Sequence, residues 1–129
     1  MNSKPILTAV LICSIATDTL AQARTPVKDA RPLLIAAIDT ADGRAHGILV
    51  GEVADAISQR FKATTPIYID VTTERRYAQA GCSRLNLRFW QDGVQLPNMK
   101  SAGLAAPRRQ AIDFGINYCR DGLPPKSLS

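Results

Sequence analysis

The hydrophobic period of the chain changes once. From about residue 29 to residue 62 apolar side chains recur at three- and four-residue spacing, and from residue 64 they alternate with polar ones. In the first part Leu33, Leu34, Ala37, Ile38 and Ala41 share one helical face over 29–42. Asp29 stands where it can cap this helix, Pro32 falls in its first turn, and Gly43 ends it. Val50, Val53, Ala54, Ile57 and Phe61 form a second stripe over 48–62, opposite Glu52, Asp55, Gln59 and Lys62. The short connection between the two predicts an antiparallel helix pair.

In the second part Ile67, Ile69 and Val71 alternate with Tyr68, Asp70 and Thr72, which predicts a half-buried strand opened by Pro66. Segment 81–120 then reads as a hairpin closed by Cys82 and Cys119. If every pair of residues has the same number sum as that cysteine pair, Leu85 faces Ile116, Leu87 faces Phe114 and Phe89 faces Ile112 on one side. Arg88 then faces Asp113 on the other. A turn near Ala78 sets Ile67, Ile69 and Val71 against Phe89, Leu87 and Leu85. The expected fold is therefore α+β: two N-terminal helices packed on one face of a three-stranded antiparallel meander, with one disulfide. A single domain spans 24–122. Segment 91–110, punctuated by Gly93, Pro97, Gly103 and Pro107, is a long loop, and 123–129 with Pro124 and Pro125 is an extended tail.

Residues 1–23 stand outside this pattern. Lys4, the apolar run over 5–16 and Ala21-Gln22-Ala23 are the three parts of a secretory signal peptide with cleavage expected after Ala23. The run is shorter than the ~20 residues a membrane-spanning helix needs, so no stable span is expected after cleavage. Ile12 before Cys13 occupies a position where lipoprotein processing demands a small residue, which argues against lipidation. Cleavage removes Cys13 and leaves two cysteines, and an even pair in an exported chain, periplasmic or secreted, reads as a disulfide. It removes Lys4 and Asp18 together, so the net charge stays at +5.

Candidate chemistry is sparse. His46, the single histidine, lies in the expected connection between the helices, near Asp42 and Glu52. With no second histidine for a metal site and no nucleophile at a recognisable elbow, no catalytic residue, cofactor or metal is expected. A small secreted hydrolase or toxin using His46 with a neighbouring carboxylate is the alternative. The outward face of the meander carries Tyr68, Arg84, Arg88, Trp90 and Asp113, a composition that suits a partner-binding face. Its expected rows are Tyr68, Arg88 and Asp113; Asp70, Asn86 and Gly115; then Thr72, Arg84 and Asn117, with Trp90 beside Pro66 and Ala111. The basic pairs Arg75-Arg76 and Arg108-Arg109 fall at opposite ends of the strands, so their charge is spread. Binding of nucleic acid or another anionic polymer is a second alternative, and it prefers a clustered patch.

The segments GILVGEVADAI (47–57) and FGINYCRDGLPPKS (114–127) resemble small exported proteins encoded in bacterial conjugative-transfer and type IV secretion gene clusters. The resemblance implies an accessory role in the envelope during plasmid or element transfer, with another envelope protein as the partner. It brings no catalytic residues.

Overall fold

The six residues RAHGIL place Ala45, Gly47 and Leu49 on one side of the chain and His46 and Ile48 on the other, and they form a strand where a helix-to-helix connection was expected. In the computed structural model, which describes residues 23–129, the elements run β1 (Thr25–Val27), α1 (Arg31–Asp39), β2 (Arg44–Leu49), α2 (Glu52–Arg60), β3 (Ile67–Arg76), β4 (Cys82–Val94) and β5 (Arg108–Cys119). The expected leader, apart from Ala23, lies outside the described residues. The strands form one five-stranded sheet in the order β1-β2-β3-β4-β5, with β1 and β2 parallel and every other pair antiparallel. This overturns the three-stranded meander with two N-terminal helices: the helices are separated by β2, and β1 and β2 widen the sheet.

The reason lies in the size of the inward side chains of β2. Ala45 and Gly47 are small, so they carry no hydrophobic signal, yet both are buried. Gly47 is where α1 seats: a β-carbon there would stand 2.6 Å from Leu33 Cδ1 and 2.9 Å from the Thr25 carbonyl oxygen. Leu33, Leu34, Ala37 and Ile38 of α1 pack against Ile69 and Val71 of β3 and Leu85 and Leu87 of β4, and together they make the core. Asp29 satisfies the Arg31 N–H at 2.9 Å at the start of α1, one residue outside the helix N-cap at Ala30.

The second helix departs further from expectation. It spans Glu52–Arg60 and is shorter than 48–62 because Ile48 and Leu49 belong to the end of β2 and Gly51 is its N-cap, and of its stripe only Ala54 is buried. Val53 is 65% exposed and Ile57 36% exposed. Two links tie α2 down: the buried Gln91 amide donates to Ser58 Oγ and to the Thr65 carbonyl, both at 2.9 Å, and Gln95 N–H donates to the Phe61 carbonyl at 2.9 Å.

The β4–β5 ladder has the expected register, Cys82 opposite Cys119, Leu87 opposite Phe114 and Arg88 opposite Asp113, and the Cys82–Cys119 disulfide is present. The β3–β4 ladder is displaced by two residues: Ile69 faces Phe89 and Val71 faces Leu87. An irregularity between Thr73 and Arg75 takes up an extra residue. A slip of two keeps every side chain on its own face, so the alternating pattern accommodates either register. Segment 95–107 folds back on itself through a Pro97–Leu104 bridge, and 123–129 runs back to the turn before β4, where Ala78 N–H donates to the Ser129 carbonyl.

The disulfide links positions 37 residues apart, and restricting the unfolded chain over such a loop stabilises by about 4 kcal/mol. Cys82→Ser is expected to lose most of that in chemical denaturation, against the oxidised protein. Gly47→Ala is expected to destabilise by roughly 1–3 kcal/mol by pushing Leu33 off its seat, which the same midpoints measure.

Candidate partner-binding surfaces

The outer face is organised by Asp70 in the middle of β3. Its β2 neighbour is His46 and its β4 neighbour is Arg88. The Asp70 carboxylate accepts from His46 Nδ1 at 2.7 Å, from Trp90 Nε1 at 2.7 Å and from Arg24 Nη1 at 2.9 Å. Arg24, just before β1, also reaches the Gly47 carbonyl at 3.2 Å and so fastens the first strand to the sheet. Burial pushes the Asp70 carboxyl up, and the bonds from His46, Trp90 and Arg24 outweigh this and hold it below the usual carboxylate range.

Aromatic rings close the node from the side. Tyr68 and Trp90 face each other across β3 and β4 and stack with ring centroids 4.2 Å apart. The Arg24 guanidinium lies 4.7 Å from the Tyr68 ring centre, and the Arg109 guanidinium lies 4.3 Å from that of Trp90. Arg109 is itself held by Asp92 through two bonds of 2.7 and 3.1 Å.

The five residues expected to form one contact face thus divide. Tyr68 stands beside Trp90 and not, as expected, beside Arg88, because of the two-residue displacement. Both rings are half-buried in the Asp70 node. Arg88 and Asp113 remain exposed and opposed at 3.6 Å. Arg84 lies apart, with its guanidinium on the bare backbone of Gly115, 3.3 Å from Asn117 Oδ1 and 3.7 Å from Glu74. The carboxylate that meets His46 is Asp70, not Asp42 or Glu52, and His46 Nε2 is buried without a polar partner among the described residues. The two basic pairs are anchored at opposite ends of the sheet, Arg76 on the Ile38 and Thr40 carbonyls at the end of α1 and Arg109 on Asp92.

A second surface lies on the inner face, and the sequence assigned its residues to the core. Beyond α1, the sheet faces α2 across an open groove of about 490 Å³. Val53, Ile57 and Phe61 form its helical wall, and Ile67, Phe89 and Ile112 its sheet floor. Ile112 is 67% exposed, and Phe114, stacked on Phe89 at 5.8 Å, is 46% exposed. The one signal in the sequence is Gln91, a polar residue in the inward series that marks where the sheet stops packing on helix α1 and starts holding α2. A groove of this size and composition is in the range of binding clefts. Among the described residues no three His, Cys, Asp or Glu side chains gather as a metal site, and no helix is long and apolar enough to cross a membrane.

Comparison of the chain with protein-family models, with curated proteins and with solved structures finds no match.

Because the Asp70 carboxyl is held low, the stability it contributes is present above the ordinary carboxylate value near 3.8 and is lost as pH falls through its lower folded value. Asp70→Asn is expected to cost about 1–3 kcal/mol at neutral pH by unpairing its donors. It should also flatten the loss of stability below that value, as read from urea midpoints across the acid range.

Proposed function

We propose that the protein is an exported, disulfide-stabilised accessory protein that holds an apolar segment of another envelope protein in the groove between α2 and the sheet. The observation that carries this reading is that Val53, Ile57 and Ile112 are exposed together around one 490 Å³ cleft. Isolated exposed apolar residues need no explanation, but a contiguous set lining a cleft is characteristic of an interaction site. Burying those side chains contributes on the order of 1.5–3 kcal/mol each before the costs of association.

Export is supported by the leader pattern of residues 1–23 and by the disulfide, which persists in oxidising compartments. The resemblance of 47–57 and 114–127 to accessory proteins of conjugative transfer supports a partner from that machinery. The Asp70 node is read as an anchor for Arg24 and β1. Its carboxylate already serves three donors, and the second nitrogen of His46 is shut away from solvent.

A photo-crosslinking residue at Ile57, inside the cleft, is expected to capture an envelope protein in producing cells, and one at Glu74, exposed on β3, is not. Ile57→Asp should abolish the association and leave the thermal midpoint within a few degrees, because the side chain is already solvent-accessible. Equal adducts from both positions, or an association that survives Ile57→Asp, would remove this reading.

A further inference from the structure

The sheet has two edges of different kinds. At one, β1 is three residues long. At the other, β5 is twelve residues long with no proline, and the backbone groups along its outer side can be identified. Cys82 and Cys119 are a close pair, 4.0 Å between Cα atoms, whose backbone groups point away from each other. Cys82 bonds to Tyr77 and Gln79, and Cys119 to Gly122 and Leu123. Alternation along the unbroken ladder then turns the N–H and C=O groups of Ala111, Asp113, Gly115 and Asn117 outward. The C-terminal tail covers Cys119 and departs toward Gln79 and Ala78, so it leaves these four uncovered.

We propose that this edge pairs with the same edge of a second copy, antiparallel about a two-fold axis through Phe114, to give one sheet continuous across both molecules. Charge selects the register. An axis through Asp113 sets two carboxylates against each other, and an axis through Gly115 sets side by side the two Arg84 guanidinium groups that rest on that glycine. An axis through Ile112 sets Arg109 against Gly115 and therefore against Arg84. With the axis at Phe114, Ala111 faces Asn117, Ile112 faces Ile116 and Asp113 faces Gly115 of the second copy. Each Asp113 then meets the Arg84 of the other molecule. Neither group is held by a short ion pair within one copy: Arg84 lies 3.7 Å from Glu74 and donates to Asn117 Oδ1 at 3.3 Å, and Asp113 lies 3.6 Å from Arg88 and accepts from the Asn86 amide at 3.3 Å. The pairing also brings the exposed Phe114 side chains of the two copies together at the axis. Closed two-fold dimers of this kind use one patch twice.

Sedimentation of the purified, oxidised protein is expected to show a concentration-dependent dimer. Arg84→Asp and Asp113→Arg should each weaken it at least tenfold. An equimolar mixture of the two variants should recover it, since each like-charged contact becomes an opposite one across the interface. This recovery has no counterpart if the residues act only within one chain, and a retained circular dichroism spectrum shows that both variants fold. Phe114→Cys should give a covalent dimer on mild oxidation, because Phe114 faces its own copy at the axis, and Ile112→Cys should not. A monomer at every concentration, no recovery on mixing, cross-linking by Ile112→Cys as efficient as by Phe114→Cys, or occupation of the edge by a foreign strand instead of a second copy would overturn the proposal.

Discussion

One helix cannot cover five strands. Strands lie ~4.8 Å apart, so this sheet is about 20 Å wide, whereas a helix with its side chains is roughly 10–12 Å across. Helix α1 sits over β2, β3 and β4, where Gly47 lets it approach the backbone and where Ile69, Val71, Leu85 and Leu87 are buried beneath it. The far side of the inner face is left to α2, which touches the domain through Ala54, Ser58 and Phe61 and stands away from the sheet elsewhere. The open groove and the bare flank of β5 both follow from this mismatch of widths. Apolar residues that would complete a core in a wider helical layer line a surface here.

The outer face solves the opposite problem. Without a covering layer, it stabilises the short β1 and the aromatic pair Tyr68 and Trp90 through a single carboxylate. Asp70 draws Arg24, His46 and Trp90 together, and the ring faces receive Arg24 and Arg109. The arrangement places three donors on one half-buried anion, a condition in which each bond is stronger than an exposed ion pair. Tyr68 and Trp90, which composition alone marks as interface residues, are therefore largely occupied within the protein. Of the five residues marked by composition, Arg88 and Asp113 are the ones turned toward solvent, close to the β5 edge.

Legibility in the sequence varied with how strongly each feature was constrained. The β4–β5 register could be read because a covalent bond joins two positions whose numbers set every other pair, and Leu85, Leu87 and Phe89 agree with it. The β3–β4 register could not be read in the same way. Hydrophobic alternation repeats every two residues, so it distinguishes faces and is blind to a slip of two, and the ladder that forms also carries a one-residue irregularity between Thr73 and Arg75 that the alternation does not signal. β2 was hidden because its buried residues are Ala45 and Gly47, and because Val50, Val53, Ala54 and Ile57 just beyond it continue a helical period. The groove was hidden for a related reason: an apolar stripe shows that a helix has an apolar side and is silent on whether that side is covered.

By itself the sequence determined the change from helical to strand periodicity, the hairpin joined by Cys82 and Cys119, and the sorting of side chains between the two faces of β3, β4 and β5. These are local or covalent constraints, expressed within a few residues or through one bond. The tertiary structure alone decided that β1 and β2 extend the sheet, that Asp70 is the partner of His46, Trp90 and Arg24, and that Val53, Ile57 and Ile112 face an open cleft. Each of those depends on how many strands stand side by side and how much of them one helix covers, a quantity set by the packing of the whole chain and by no segment of it.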